Sequence, residues 1–332
     1  MLVQFTVKNF RSFKDEVTLS LVASSIKERV DENTLAISEN LSLLKSAVIY
    51  GANASGKSNL FHAMRFMKQF IQNSSKETQA KEKINITRFK LSTETEDAPA
   101  SFEIIFIYEG IRYRYGFAVD EERVHAEWLF YVPGKQEVEI FTRMKQDFNL
   151  TKHFKSEEDL VKGERVRVRS NALLLSVSAQ LNGKIARKIV EWLSRFNCIS
   201  GLRSDSHANA AFSLMDEEEG RNAILEFLKD ADTGIEDVKK VENKASIDEF
   251  PPYMHKFFTD KSKENNFFRI NIKTYHPKYN KKKEIVDSIP FDMMDDESAG
   301  TQRLFELSGA IINTLKEGKV LVVDELAARL HP

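Results

Sequence analysis

Cysteine is nearly absent from this chain: Cys198 is the single one. That excludes an internal disulfide and a cysteine-built zinc site, and it suits a reducing compartment. Long apolar runs are missing too. None approaches the ~20 residues of a membrane span, and the opening Met1-Leu2-Val3-Gln4-Phe5 lacks the basic-then-apolar layout of a secretion signal. The chain is therefore expected to be cytoplasmic, with no membrane partner. Net charge is almost nil, at −1, so nothing draws the whole molecule to nucleic acid and any such binding needs a local patch. Sustained heptads are also absent, which excludes a long coiled coil, and no internal repeat is visible.

What is present is a chain of 332 residues, 42% hydrophobic and 30% charged, enough for one large or two ordinary globular domains. Its most informative stretch is Gly51-Ala52-Asn53-Ala54-Ser55-Gly56-Lys57-Ser58. Here glycines, a lysine and a hydroxyl stand at the spacing of a phosphate-binding P-loop. Ala47-Val48-Ile49-Tyr50 before it reads as a short buried strand. After it, Leu60, Ala63, Met64, Met67, Phe70 and Ile71 recur at helical spacing. A glycine loop between strand and helix aims backbone amides and a helix N-terminus at phosphate oxygens. Lys57 would reach the β- and γ-phosphates and Ser58 would place its hydroxyl on Mg²⁺. The bland alternative is a chance glycine turn.

The rest divides by pattern. Residues 1–22 alternate as strand, turn and strand, and 24–40 are polar, a loop or short helix. From Phe89 to Met144 the alternation is that of an antiparallel meander, with turns at Glu109-Gly110 and Pro133-Gly134. Residues 156–258 read as helical, with stripes Ile185, Ile189, Trp192, Leu193, Phe196 and Ile224, Phe227, Leu228. Phe267 to Tyr275 alternate again as a strand. Near the end, Ser298-Ala299-Gly300-Thr301-Gln302 opens a helix with apolar face Leu304, Leu307, Ile311 and Leu315, stopped by Gly318. Val320-Leu321-Val322-Val323 then runs into Asp324-Glu325, the form of a Walker B strand: Asp324 for the Mg²⁺ shell, Glu325 for the attacking water. The expected fold class is α/β, a P-loop NTPase with an antiparallel β subdomain and an inserted helical lobe. The expected divisions are 1–155, 156–290 and 291–332, the last returning to the ATPase core.

Four elements carry a family resemblance: Asn9-Phe10-Arg11-Ser12-Phe13, the loop through Asn59, Glu297-Ser298-Ala299-Gly300-Thr301-Gln302, and Asp324-Glu325-Leu326 closing on Leu330-His331-Pro332. Together they resemble the ABC-type ATPase heads of the SMC and RecF-like branch. They look closest to the AAA-type ATPases of overcoming-lysogenization-defect (OLD) and abortive-infection (RloA/AbiL-like) anti-phage systems. The resemblance implies that Arg11, Ser12 and Phe13 line the base and ribose side of ATP and that Asn53, Ala54, Ser55, Gly56, Lys57, Ser58 and Asn59 surround its phosphates. It further implies that Ser298, Gly300 and Thr301 face the ATP of a second subunit in a homodimer or higher oligomer, and it offers Gln180 as a metal- or water-sensing glutamine. Gln180 reads equally as an ordinary polar residue at a helix edge. Two departures stand out. Ala327 occupies a position that is often acidic in the family, and the strands and switch histidine that follow Walker B there lie beyond Pro332. A longer native polypeptide is therefore expected.

The function so implied is an Mg²⁺-dependent ATPase switch in anti-phage defence, controlling a nuclease or toxin effector. A RecF/SMC-like DNA-repair ATPase and a nucleotide-gated scaffold without turnover stay open as alternatives, as does nucleic acid as a partner. Arg165, Arg167 and Arg169 would form a basic face if they lay on a strand, more often a protected edge than a phosphate track. Lys278, Lys281, Lys282 and Lys283 read as an exposed turn, 216–219 as a helix start, and 292–297 as a loop rather than a metal site.

Overall fold

The structure is a computed structural model that describes residues 1–76, 79–162, 166–201, 208–245 and 267–326. The chain groups into two units, Met1–Cys198 with Val322–Asp324, and Ile199–Leu321 with the segment from Glu325. The first division thus falls at 198 rather than at 155. The physical reason is packing: the helices before Cys198 belong with the first unit's sheet, and the Trp192 ring stacks on Phe106 at 3.9 Å.

In the first unit, β1 (Leu2–Lys8) and β2 (Val17–Ser20) form the opening hairpin. A single-turn helix α1 (Val30–Asn33) and a small hairpin, β3 (Thr34–Ser38) with β4 (Leu41–Leu44), fill the stretch read as loop or short helix. Helix α2 (Lys57–Asn73) follows the phosphate loop. The meander is β5 (Ala100–Tyr108), β6 (Ile111–Val119), β7 (Val124–Val132), β8 (Val138–Met144) and β9 (Asp147–Leu150). It continues the first hairpin into one antiparallel sheet of order β2-β1-β5-β6-β7-β8-β9. Glu109 and Gly110 turn the β5–β6 hairpin with φ of 49° and 75°, the left-handed pair that a tight hairpin twist requires.

Period-two patterning decides which side of the sheet is covered. Phe102 pairs with Phe117, Ile104 with Tyr115 and Phe106 with Tyr113, and all six are buried. Onto this face α2 presses Phe66 and Phe70, at 5.0 Å from Phe102 and 5.4 Å from Phe117 respectively. Each such ring, fully buried, contributes ~1.5–3 kcal/mol. Three short helices complete the unit: α3 (Glu158–Val161), α4 (Leu174–Gln180) and α5 (Lys184–Ser194). The start of α4 is fixed by a buried carboxylate. Glu127 accepts Leu174 N at 2.7 Å, Leu175 N at 3.0 Å and the Tyr115 hydroxyl at 2.9 Å. Burial pushes that carboxyl up, while buried Arg143 and the helix amides pull it down.

One expectation about the core strands needs correction. Residues 46–50 form no strand: Val48 is 73% and Tyr50 88% exposed. The run has the right composition, but its backbone finds no neighbouring strand among the described residues, and a strand exists only through its neighbours. The Walker-B-like run does form a strand, β14 (Val320–Asp324), hydrogen-bonded to β10 (Phe196–Ser200), and it is half-buried along its length.

The second unit combines helices with a sheet. Besides α6 (Ala208–Leu214), α7 (Glu218–Asp230) and α8 (Ala299–Glu317), it holds an antiparallel sheet of β11 (Asp237–Ala245), β12 (Phe267–Tyr279) and β13 (Ile285–Asp292). The lysine-rich β11 hid its alternation, because Val238 is the one residue fully buried among those described on it. Core residues Met215, Ile224, Leu228, Ile235, Ile272, Met293 and Phe305 pack together. In α8 the expected apolar face is only partly the buried one, since Leu315 is 77% exposed while Arg303, Glu306 and Ser308 are buried. At Gly309 α6 comes close to α8. A Cβ there would lie 2.3 Å from Ala211 N, so α6 rests directly on the backbone of α8. A hydrophobicity pattern does not register such a contact.

Candidate functional site

The phosphate loop is exposed from Gly51 to Ser55 and passes into α2 at Lys57. Two residues bend it through left-handed backbone, Ala54 at φ 61° and Gly56 at φ 97°. The helix start has neither a side-chain cap nor an acidic residue in its first turn. Its first amides and the positive end of its dipole are therefore left for an anion. Lys57 Nζ donates to Gly51 O at 2.7 Å and to Ala52 O at 2.9 Å, drawn back over its own loop.

Two distant segments meet this loop. Ser58 Oγ donates to Asp324 Oδ1 at 3.1 Å, across 266 positions of sequence. The pair sets two hard oxygen donors side by side, the donor set of a Mg²⁺ that keeps waters and substrate phosphates as its other ligands. From the other direction comes the turn at 9–13, closed by Phe10 N to Phe13 O at 3.0 Å and Phe13 N to Phe10 O at 2.9 Å. Asn59 Nδ2 donates to Ser12 Oγ at 2.8 Å, and Arg11 Nη1 reaches Asn59 Oδ1 at 3.5 Å. A Cβ on Gly56 would sit 2.8 Å from Ser12 Oγ and 3.4 Å from a Phe13 ring carbon. Arg11, Ser12, Phe13, Gly56, Lys57, Ser58, Asn59 and Asp324 are thus gathered in one place. Asn53, Ala54 and Ser55 lie on the exposed part of the loop. Glu325 follows Asp324, exposed and with φ 56°. Asn9, which ties the 9–13 turn to the unit, opens the motif in the sequence but carries no role there.

In the second unit, Ser298 caps α8. Its Oγ accepts Thr301 N at 3.1 Å and lies 2.9 Å from Thr301 Oγ1. Thr301 is buried and its hydroxyl is turned to Ser298, while Gly300 is half-buried in the first turn. The acidic stretch before the helix is structural. Asp292 Oδ2 accepts Asn271 at 2.9 Å and pairs with Lys273 at 3.2 Å, and Glu297 accepts His276 Nε2 at 2.7 Å and the Thr274 hydroxyl.

Gln180 is placed elsewhere. It lines a cavity of about 320 Å³ with Ile71 and Gln72, at the far end of α2. At ~1.5 Å rise per residue, the helix separates Gln72 from Lys57 by about 20 Å, so the structure does not bring Gln180 to the phosphate loop. The arginine face is also corrected. Arg165 lies outside the described residues, 166–170 form no strand, and Arg169 Nη2 donates to Ser74 O at 3.0 Å, closing the C-terminal end of α2. Lys278, Lys281, Lys282 and Lys283 flank an exposed turn organised by Asn280, whose Oδ1 accepts Lys282 N at 2.8 Å. Ala327 and His331 lie outside the described residues. Among the described residues no group of three or more His, Cys, Asp or Glu is arranged to hold a metal, and no helix is long and apolar enough to cross a membrane. Burial pushes the Cys198 thiol up to about 12, which disfavours the thiolate.

Residues 46–332 match the family model described as "AAA domain, putative AbiEii toxin, Type IV TA system". The chain belongs to that family, and with it to the P-loop AAA-type ATPases related to abortive infection. No curated protein matches it.

Proposed function

We propose that this chain is the ATP-hydrolysing switch of a bacterial anti-phage system of the OLD or RloA/AbiL-like kind, acting in the cytoplasm on a nuclease or toxin effector. The observation that carries the reading is the Ser58–Asp324 hydrogen bond, which ties the phosphate loop to the end of the Walker-B-like strand. The residues present fit ATP and Mg²⁺. The loop offers amides at an uncapped helix start, Gly56 leaves the space a Cβ would fill, and Ser58 with Asp324 supplies hard oxygens. When bound there, Mg²⁺ would neutralise charge on the transferring phosphoryl group. Lys57, leaving the carbonyls of Gly51 and Ala52, would pair with the β- and γ-phosphates. Glu325 would orient a water and take its proton as the water oxygen bonds to the γ-phosphorus. The bond to the bridging oxygen breaks and ADP leaves with the electron pair.

The family resemblance extends the reading to assembly. Ser298, Gly300 and Thr301 at the start of α8 would face the γ-phosphate held by a second copy, so that two ATP molecules are enclosed by a two-fold dimer. ATP would hold the dimer closed and hydrolysis would open it, releasing or activating the effector. The test is calorimetric titration of ATP·Mg²⁺ into the wild-type chain and Lys57→Ala, with turnover measured beside it. Binding lost in the variant supports the site, and equal affinity overturns it. Stimulation of turnover by DNA would favour the repair reading instead.

A further inference from the structure

The turn that meets the phosphate loop is held from behind. Asn9 is 1% exposed and uses its whole amide group. Nδ2 donates to Ala98 O at 2.7 Å and Thr95 O at 3.2 Å, and Oδ1 accepts Phe89 N at 3.1 Å. Its backbone is left-handed, at φ 50°, a conformation that asparagine tolerates better than most residues. Two positions on, Arg11 N donates to Thr87 O at 2.9 Å, again from a left-handed residue. Segment 84–98 contains no strand that would otherwise organise it. Its carbonyls are gathered instead by Asn9 and by Arg88, which donates to Ala98 O at 3.2 Å and to Glu96 O. On the opposite side, the same turn touches Asn59 and Gly56. The turn is therefore clamped between the phosphate loop and a strandless segment, and one buried amide makes most of the rear clamp.

We propose that Asn9 is a positioning residue of the nucleotide site: with Asn59 opposite, it sets the Arg11-Ser12-Phe13 turn against the phosphate loop and so governs affinity for the base-and-ribose half of the nucleotide without touching it. The inference rests on the nucleotide reading above. Its physical basis is that a residue of this turn contributes to binding only if its position is fixed beforehand. The turn's own backbone bonds close it, but its two left-handed residues, Asn9 and Arg11, carry a backbone cost, and contacts outside the turn fix where it sits. The phosphate half of the site does not depend on the turn, because its amides come from the loop and the start of α2.

The test separates the two halves with two probes, ATP·Mg²⁺ and inorganic tripolyphosphate·Mg²⁺, titrated into the wild type, Asn9→Ala and Asn9→Gly. The expected result is an affinity for ATP about tenfold lower in Asn9→Ala, the worth of about one net hydrogen bond, with tripolyphosphate affinity kept within about twofold. Asn9→Gly removes the same amide but keeps the left-handed backbone unstrained, so it carries less risk to folding. It should reproduce the selective loss and decides the matter if Asn9→Ala does not fold. An equal loss for both probes, or no loss for either, overturns the positioning role while leaving the nucleotide site standing. A wild type that binds neither probe overturns the nucleotide reading and this inference with it.

Discussion

Two helices in this protein begin at glycine-bearing motifs, and they begin in opposite ways. Helix α2 starts at Lys57 with no side-chain cap and no acid in its first turn. Helix α8 starts behind Ser298, whose hydroxyl is already closed on Thr301 N at 3.1 Å. The first leaves its amides open to a ligand, and the second satisfies one of its own. An uncapped start at a glycine gives up only about 0.3 kcal/mol relative to Ser, Thr or Asp, so α2 keeps its open end at small cost to stability. The capped start of α8 costs nothing until something displaces Ser298. On the proposed reading, that something is a second copy's γ-phosphate. On that same reading the first site is ready by itself, while the second waits for a partner.

The largest effect should come from breaking the open end. Lys57→Ala removes the loop's cation, and charge-assisted contacts are worth roughly 1.5–3 kcal/mol each. ATP affinity should fall by two orders of magnitude or more in calorimetry, and a fall of less than threefold would end the assignment. Next is Gly56→Ala. At φ 97° and with a Cβ 2.8 Å from Ser12 Oγ, it should cost about 1–2 kcal/mol of backbone strain and push the 9–13 turn away. Thermal melting with and without ATP reads both effects. Equal melting temperatures in the two proteins would mean that the turn moves freely.

A third pair sharpens the other side of the comparison. Glu325→Gln should retain ATP but not turn it over, accumulating a dimer in light scattering. Ser298→Arg should bind ATP as a monomer and fail to dimerise. A Glu325→Gln protein that stays monomeric at saturating ATP refutes the shared site. The smallest effect concerns the loop that feeds α8. Burial raises the Asp292 carboxyl, but Met294 N–H, Asn271 and Lys273 together outweigh it and hold the group below its ordinary value. A depressed folded pKa stabilises above the unfolded value of about 4, and that contribution is lost as pH falls through the folded one. Asp292→Asn should therefore flatten the loss of stability in acid, as followed by circular dichroism between pH 5 and 2, roughly the range in which a carboxylate titrates. An unchanged acid transition would remove Asp292 from the account.

Much of this molecule is local and was legible in the chain alone. The alternation of Phe102, Ile104 and Phe106, the Glu109-Gly110 turn, the stripe of α2 and the stop at Gly318 all depend on neighbours within a few residues, where backbone sterics and period speak directly. The spacing of Gly51, Gly56, Lys57 and Ser58 belongs to the same class, because one loop and one helix start make the motif. What the tertiary structure decided lies between segments that no period connects. It placed Asp324 against Ser58 across 266 positions, brought Ser12 to Asn59, and set Gln180 at the wrong end of α2 for the role offered to it. It buried Arg303, which donates to Glu306 at 2.7 Å and to Ser200 O at 3.0 Å, while leaving Leu315 exposed. It also left residues 46–50 without a strand, since apolar composition supplies the side chains of a strand and only a neighbour supplies its hydrogen bonds.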